Sequence, residues 1–469
     1  MKITKAPVLA ALCAAGIIIG CTQNDKPATS TPSDGGTETS SDFGAEQNRF
    51  PDFGYMLPGY KGPVFRLSQD YPTTVPNSPL PDFFQTDFRK DWRKYLEQVQ
   101  AYCFEGNTEV DFRVERNTKR KWYHMPWQHY GPQGREGFHG LTQEAPVQAY
   151  QLAATQSIDT AGAVAVGFYN DIGGYTIGEV WNNHYAPNHS KNVAFKNGAV
   201  LFKLLFVTLP ESVAAQQVPW LANGLWWDAY VVSNFDNMAK PNPADYRYKT
   251  RVALVQMDIM VRDDRAPNGW IFGNFQYNGA MNKPNKWMNL VPVGIMWGED
   301  PEDSTNASNP KPTKTIINPN LKETIINPDA NELPPTHLGW NSRLNGPVDN
   351  PMSSCYSCHS TAEYPQYALM SPLFNPDTLK NNPPGSQGWM RWFRNLKCGE
   401  PFTPEAHSMD FSLQLAISLQ NFYDWKYQQA GLFDSAYKRT GLKAEAMPAT
   451  ERAEQKPSQP KVQPIAFPY

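Results

Sequence analysis

The pattern of apolar and polar positions changes character several times along the 469 residues. Residues 6–20 form an almost unbroken apolar run behind Lys2 and Lys5. The run is shorter than the roughly 20 residues a spanning helix needs, so it predicts an export signal. From Thr22 to about Asn48 the chain is Ser, Thr, Gly and Asp with almost nothing apolar, the pattern of an unfolded tether. Arg89 to Tyr102 places Trp92, Leu96 and Val99 at helical spacing. Glu109 to Val114 alternates briefly, and Ala145 to Ala154 predicts a short helix. Lys121 to Gly140 is so dense in Trp, Tyr, His, Gly and Pro that an ordered loop is the expected form.

Beyond residue 160 the pattern becomes that of strands. Ala161 to Tyr169, Tyr175 to Trp181, Ala199 to Val207, Val252 to Val261 and Trp270 to Tyr277 are short and rich in branched and aromatic side chains. No helix-length periodic segments separate them, which predicts antiparallel pairing. The expected fold class is α+β and β-rich, a large antiparallel sheet or sandwich with a few helices and long ordered loops. Glu299 to Leu338 is rich in Pro, Asn and Thr and contains TIINP twice, at Thr315 and Thr324; it reads as a surface excursion. Short and longer helices are expected over Gln387 to Asn395 and Phe411 to Tyr427. The expected organisation is a signal peptide (1–20), a tether (21–48), a β-rich body with an N-terminal helix (49–340), a segment with C-terminal helices (341–444) and a loose tail (445–469).

Composition narrows the class. Hydrophobic residues are 40% and charged residues 19%, so a sizeable core is available. A net charge of −3 leaves no basic footprint for nucleic acid. Pro numbers 42, close to twice the average share, which argues against a helical bundle.

The six cysteines sort by position. Cys13 lies in the signal. Ile18-Ile19-Gly20-Cys21 resembles a bacterial lipobox, which implies cleavage before Cys21, lipidation of its thiol and a membrane anchor. Cys355-Tyr356-Ser357-Cys358-His359 has the C-x-x-C-H spacing of haem c attachment. Two thiols three positions apart reach the two vinyl groups along one haem edge, and the adjacent His359 ligates the iron. At these Cys and His frequencies about 0.001 such motifs are expected by chance in this length. A redox C-x-x-C pair would follow a strand and open a helix, and a zinc site would need a second pair. Cys103 and Cys398 either join in a disulfide or stay as separate thiols.

Two Pro and two Gly in the fourteen residues Leu338 to Pro351 exclude a long helix leading into the motif, unlike most small helical cytochromes c. The GAVLFK strand (Gly198 to Lys203), VQMDIMVRDD, GWIFGNFQY and the late CYSCHSTAEYP resemble, over residues 161–365, the β-sheet monohaem cytochromes that include hydroxylamine-oxidising enzymes with a Lys-cross-linked haem. That resemblance implies an antiparallel sheet, a distal iron position that is often open, and Lys203 as the candidate cross-linking lysine. For a second axial ligand the candidates after the motif are Met370, Met390, His407 and Met409, with Met409 placed just before a helix. His124, His129 and His139 either anchor the aromatic loop or bring one imidazole over the distal face. Asp263-Asp264-Arg265 reads as a turn with a surface ion pair.

The expected function is one-electron transfer in the cell envelope by a membrane-tethered monohaem c-type cytochrome, with a redox partner protein. The alternatives are a haem enzyme acting on a small nitrogen or oxygen substrate and a haem-based binder of a diatomic gas. Thr22 after Cys21 lacks the acidic residue associated with inner-membrane retention, which points to the outer membrane, facing the periplasm. Labelled fatty acid fed to cells should enter the natural chain and be absent from Cys21→Ser; incorporation that survives the substitution would refute the lipid anchor.

Overall fold

The computed structural model describes residues 50, 54–129, 134–158, 161–233, 246–305, 315–329, 332–335, 338–368 and 380–440. The signal peptide, the tether, Cys21, Met370 and the tail from 445 lie outside the described residues. Among the described residues no helix is long and apolar enough to cross a membrane.

Eight antiparallel strands form the central sheet, and the chain is α+β as its pattern predicts. The strands are β1 (Thr142–Val147), β2 (Ala161–Tyr169), β3 (Val200–Val207), β4 (Trp226–Val232), β5 (Arg247–Arg262), β6 (Trp270–Tyr277), β7 (Leu290–Met296) and β8 (Thr324–Ile326). Their order is β1-β2-β3-β5-β6-β7-β8, and β4 pairs the first half of β5. The long β5 therefore serves two neighbours in succession: Val252 faces Trp227, whereas Val261 faces Val200.

Alternate side chains on these strands enter different cores, as the two-residue period of a strand requires. On β6, Ile271 and Phe275 join the core built with helix α1 (Trp92–Phe104), through Leu96, Val99 and Phe104. Trp270 and Phe272 point the other way, into a core shared with α2 (Asp171–Trp181), Tyr356 and Met409. The C-terminal helix, Leu413–Thr440, adds Leu415, Leu419 and Phe422 to that second core. Both faces of the sheet are thus covered, which explains why β2, β3 and β6 read as nearly continuous apolar runs.

Three expected elements differ. Tyr175 to Trp181 is helical, because Asn170 caps it by accepting from the Gly173 N–H at 2.9 Å and Asp171 opens the first turn. Gly174 lets this helix approach the Tyr123 ring, which a Cβ would meet at 2.5 Å. Ala145 to Ala154 forms no helix. Its start continues the edge strand β1, where Pro146 sits in a register irregularity between Glu144 and Val147. Glu109 to Val114 is no strand: Asp111 and Phe112 take left-handed φ of 54° and 56°, between two 3₁₀ turns. The 299–338 stretch is only partly a surface excursion, since its second TIINP supplies β8 while Ile316 and Ile317 of the first are exposed.

His124 illustrates how the loop before the sheet is held. Its Nδ1 accepts the Ser68 N–H at 2.9 Å, and it is buried beside Phe65. Burial first, then the nearby Arg135 charge, lower its pKa to about 3. The folded chain therefore binds fewer protons here than the unfolded chain, whose imidazole titrates near 6.5, so stability is lost as pH falls below that value. Denaturant unfolding should show His124→Asn, which keeps an acceptor near Nδ1, losing about 2–3 kcal/mol less than the natural chain between pH 7 and pH 4.5. Equal pH slopes would refute the assignment.

Candidate functional site

The motif opens the short helix Cys355–His359, fixed by its own flanking residues. Ser354 is the N-cap: its Oγ accepts the Ser357 N–H at 2.9 Å, while Ser357 Oγ accepts the Ser354 N–H at 2.9 Å. Ser354 Oγ also donates to the buried Glu299 carboxylate. Glu299 faces Arg343 at 3.2 Å, both side chains wholly buried, and Arg343 donates to the carbonyls of Glu299, Asp300 and Asp303. Burial pushes the Glu299 carboxyl up to about 8 against the opposing Arg343 charge. Tyr356 locks the far side by donating to the Leu396 carbonyl.

Cys355, Cys358 and His359 all line one cavity of about 240 Å³ against the sheet. Both cysteines are free thiols. Burial, before any charge effect, pushes the Cys358 thiol up to about 12 and holds Cys355 well above the usual thiol range. His359 Nδ1 lies 2.8 Å from the Phe411 carbonyl oxygen, so it is the donor there and Nε2 is left with a lone pair. Burial lowers this imidazole to about 4 and keeps it neutral.

The opposite wall is polar. Lys203 on β3 stands directly across from Asp258 on β5 and from Gly167 on β2, and Asp258 stands across from Asn274 on β6. Lys203 Nζ is 2.6 Å from Glu144 Oε1 on β1. Burial would strip its proton, but the carboxylates of Glu144, Asp258 and Asp349 outweigh burial and hold the lysine charged. Gln256 Nε2 donates to Asp258 and to Asp349, each at 2.8 Å. Burial raises both aspartates, Asp258 the further because the Asp349 charge adds to it. His129 and Met260 complete the part of the lining that carries chemistry.

The structure separates several residues that the sequence offered together. Among His124, His129 and His139, only His129 lines this cavity, and burial lowers it to about 4. His139 stacks on Trp227 at 4.1 Å and bonds Asp111 at 2.8 Å. Among the described residues no three His, Cys, Asp or Glu side chains converge as they would around a protein-held metal. Met409 is wholly buried in the second core, and the cavity lining contains Met260 but not Met409. Met390 packs on a third, tryptophan-rich cluster, and His407 lies in a two-stranded ribbon with Tyr364. Cys103 and Cys398 stay separate: Cys103 is buried in the α1 core, and Cys398 accepts from Arg262 Nε at 3.1 Å and donates to Asp410 at 3.2 Å. The Asp263 turn is not a surface feature, because Asp263 is wholly buried and Arg265 also bonds the Phe84 and Thr86 carbonyls.

Glu144, Asp258, Asp349 and Glu299 were not anticipated. Only Asp258 carried a signal, since Gln256 and Asp258 alternate as polar residues inside an otherwise apolar strand. No family model, no curated protein and no solved structure matches this chain.

Removing one partner of this half-buried ion pair strands the other. Lys203→Met should therefore cost about 1–2 kcal/mol in denaturant unfolding, less than a fully buried pair would, and Glu144→Gln less again, because Asp258 still faces the lysine. The double variant should be more stable than the sum of the two losses predicts. Strictly additive losses would show that the pair is not a unit.

Proposed function

We propose that this chain is an exported, membrane-tethered monohaem c-type cytochrome whose haem acts in the cavity as a one-electron centre toward a small polar molecule. The observation that carries this reading is the shared cavity: Cys355, Cys358 and His359 on one wall, the Lys203–Glu144 pair on another. The residues present fit a covalent haem. The thiols are free and both face the space, and His359 has one nitrogen tied to a backbone carbonyl while the other keeps its lone pair. A haem held by these residues would supply one-electron chemistry and an iron able to bind a small ligand.

The protein's own groups have distinct roles. Cys355 and Cys358 would supply the two thioether links, and His359 Nε2 would be the nitrogen that binds the iron. The Phe411 carbonyl fixes the His359 tautomer and ring plane. Lys203 holds a proton at Nζ within hydrogen-bond reach of Glu144 Oε1, so the pair can give and retake a proton beside a bound molecule. His129 stays neutral and offers either a donor or an acceptor to the cavity.

A plain electron carrier is the second reading, and the presence of Met260 in the lining favours it, since its thioether would be a second protein ligand for the iron. Absorption spectra of the haem-loaded chain, oxidised and reduced, with and without carbon monoxide, decide between the two. The proposal expects a high-spin spectrum that carbon monoxide shifts. A low-spin spectrum unmoved by carbon monoxide, with a Met-to-iron band lost in Met260→Ala or Met409→Ala, would establish the carrier. No c-type signature after expression with haem-maturation machinery would refute both.

A further inference from the structure

A third core cluster lies beside the motif. Trp340, Trp389, Trp392, Phe393 and Phe402 pack together with Met352, and Cys358 and Leu396 pack against them. Ring centres step from Trp340 to Trp389 at 5.9 Å and from Trp389 to Trp392 at 6.4 Å, and Phe393 lies 4.6 Å from Trp340. The indole N–H groups of Trp340, Trp389 and Trp392 are all buried without a hydrogen-bond partner. Leaving a buried donor unpaired costs stability, and phenylalanine would fill an apolar cluster without that cost. These indoles are therefore not placed for hydrogen bonding; what they add is a continuous run of large aromatic rings within the cluster that Cys358 packs against.

The run ends at a pair of cations. Arg391 is exposed and lies 4.7 Å from the Trp392 ring centre and 5.6 Å from that of Phe402; Arg394 lies 4.4 Å from Phe402. No ion pair to either guanidinium is seen among the described residues; burial first, and then the Arg391 charge, lower the pKa of Arg394. The carboxylate both sense is Glu363, which is buried and already accepts from Tyr367 N, Ala368 N, Thr403 N and Thr403 Oγ1. Glu400, the other carboxylate near Arg394, accepts the Lys397 N–H, and the Lys397 side chain is itself exposed. A local excess of positive charge on a chain of net charge −3 selects an acidic surface and steers it to this face.

We propose that Arg391 and Arg394, lying over the buried rings of Trp392 and Phe402, form the docking face for an acidic electron-transfer protein, with Trp392, Trp389 and Trp340 linking that face to the haem edge at Cys358. This inference rests on the haem reading above. One electron leaves ferrous iron, which becomes ferric, and the acceptor is reduced by one electron; no bond is made or broken and no proton moves.

The test uses the haem-loaded chain and its Arg391→Gln/Arg394→Gln variant, with Arg391→Lys/Arg394→Lys as the charge-keeping control. Two oxidants of opposite charge, ferricyanide and tris(phenanthroline)cobalt(III), report electron exit by stopped flow. A fluorescent decaglutamate peptide reports binding without turnover. The glutamine pair should slow ferricyanide about fivefold or more at low salt, spare the cobalt complex and weaken the peptide by a similar factor, all vanishing near about 0.5 M salt. The lysine pair should restore most of the peptide binding. Trp392→Leu should slow both oxidants while leaving the haem spectrum unchanged. Unchanged ferricyanide and peptide results would overturn the docking face alone, as would equal slowing of both oxidants by the glutamine pair. Slower ferricyanide with peptide binding unchanged would reduce the face to a small-anion site and also overturn it. A chain with no haem spectrum would overturn this inference together with the reading beneath it.

Discussion

Charge held inside a sheet is the constraint around which the site is organised. Lys203, Glu144, Asp258 and Asp349 line one cavity, each half-buried, where an isolated ion would be costly. Strand register places Asp258 across from Lys203 and Asn274 across from Asp258; on the other side Lys203 reaches past Gly167 of β2 to Glu144 on β1, and Asp349 is held by Gln256. A slip of one residue in β3 would turn Lys203 into the α1 core and leave three carboxylates facing each other without a cation. The polar wall therefore specifies the register as firmly as the apolar residues around it.

The opposite wall depends on a different device. The motif helix is only five residues long, too short to hold itself, and it is fixed at both ends by groups distant in sequence. Glu299 and Arg343 support its cap from below, Leu396 receives Tyr356, and Phe411 receives His359. The long Pro- and Asn-rich approach to the motif is thus scaffolding, with Arg343 gathering the carbonyls of Glu299, Asp300 and Asp303 around one guanidinium.

Strands whose apolar runs are bounded by turn residues were legible: β2 and β6 coincide with the expected segments, and β3 and β5 differ only at their ends. The errors came where a cap or a special backbone conformation outranks side-chain propensity. Tyr175 to Trp181 is composed of strand formers, yet Asn170 and Asp171 start a helix there. β4, β7 and β8 escaped because Trp226–Val232 lacks clean alternation, β7 contains Pro292 and Gly294, and β8 is three residues long. Within the site, Cys355, Cys358 and His359 were readable as a group because they are contiguous in the chain. The carboxylates around Lys203 come from positions 144, 258 and 349, and only tertiary packing brings them together.

The chain order of the cavity walls bears on how the protein is assembled. Most of the lining precedes residue 274, the motif arrives at 355, and Ser412, Leu413 and Gln414 close the space last. In the finished fold Cys355 is 9% exposed and Cys358 is half-buried, so both thiols are reached through the cavity alone. A wall begun near residue 128 is thus completed only by chain that lies beyond residue 411, and the space exists only once the whole domain has folded.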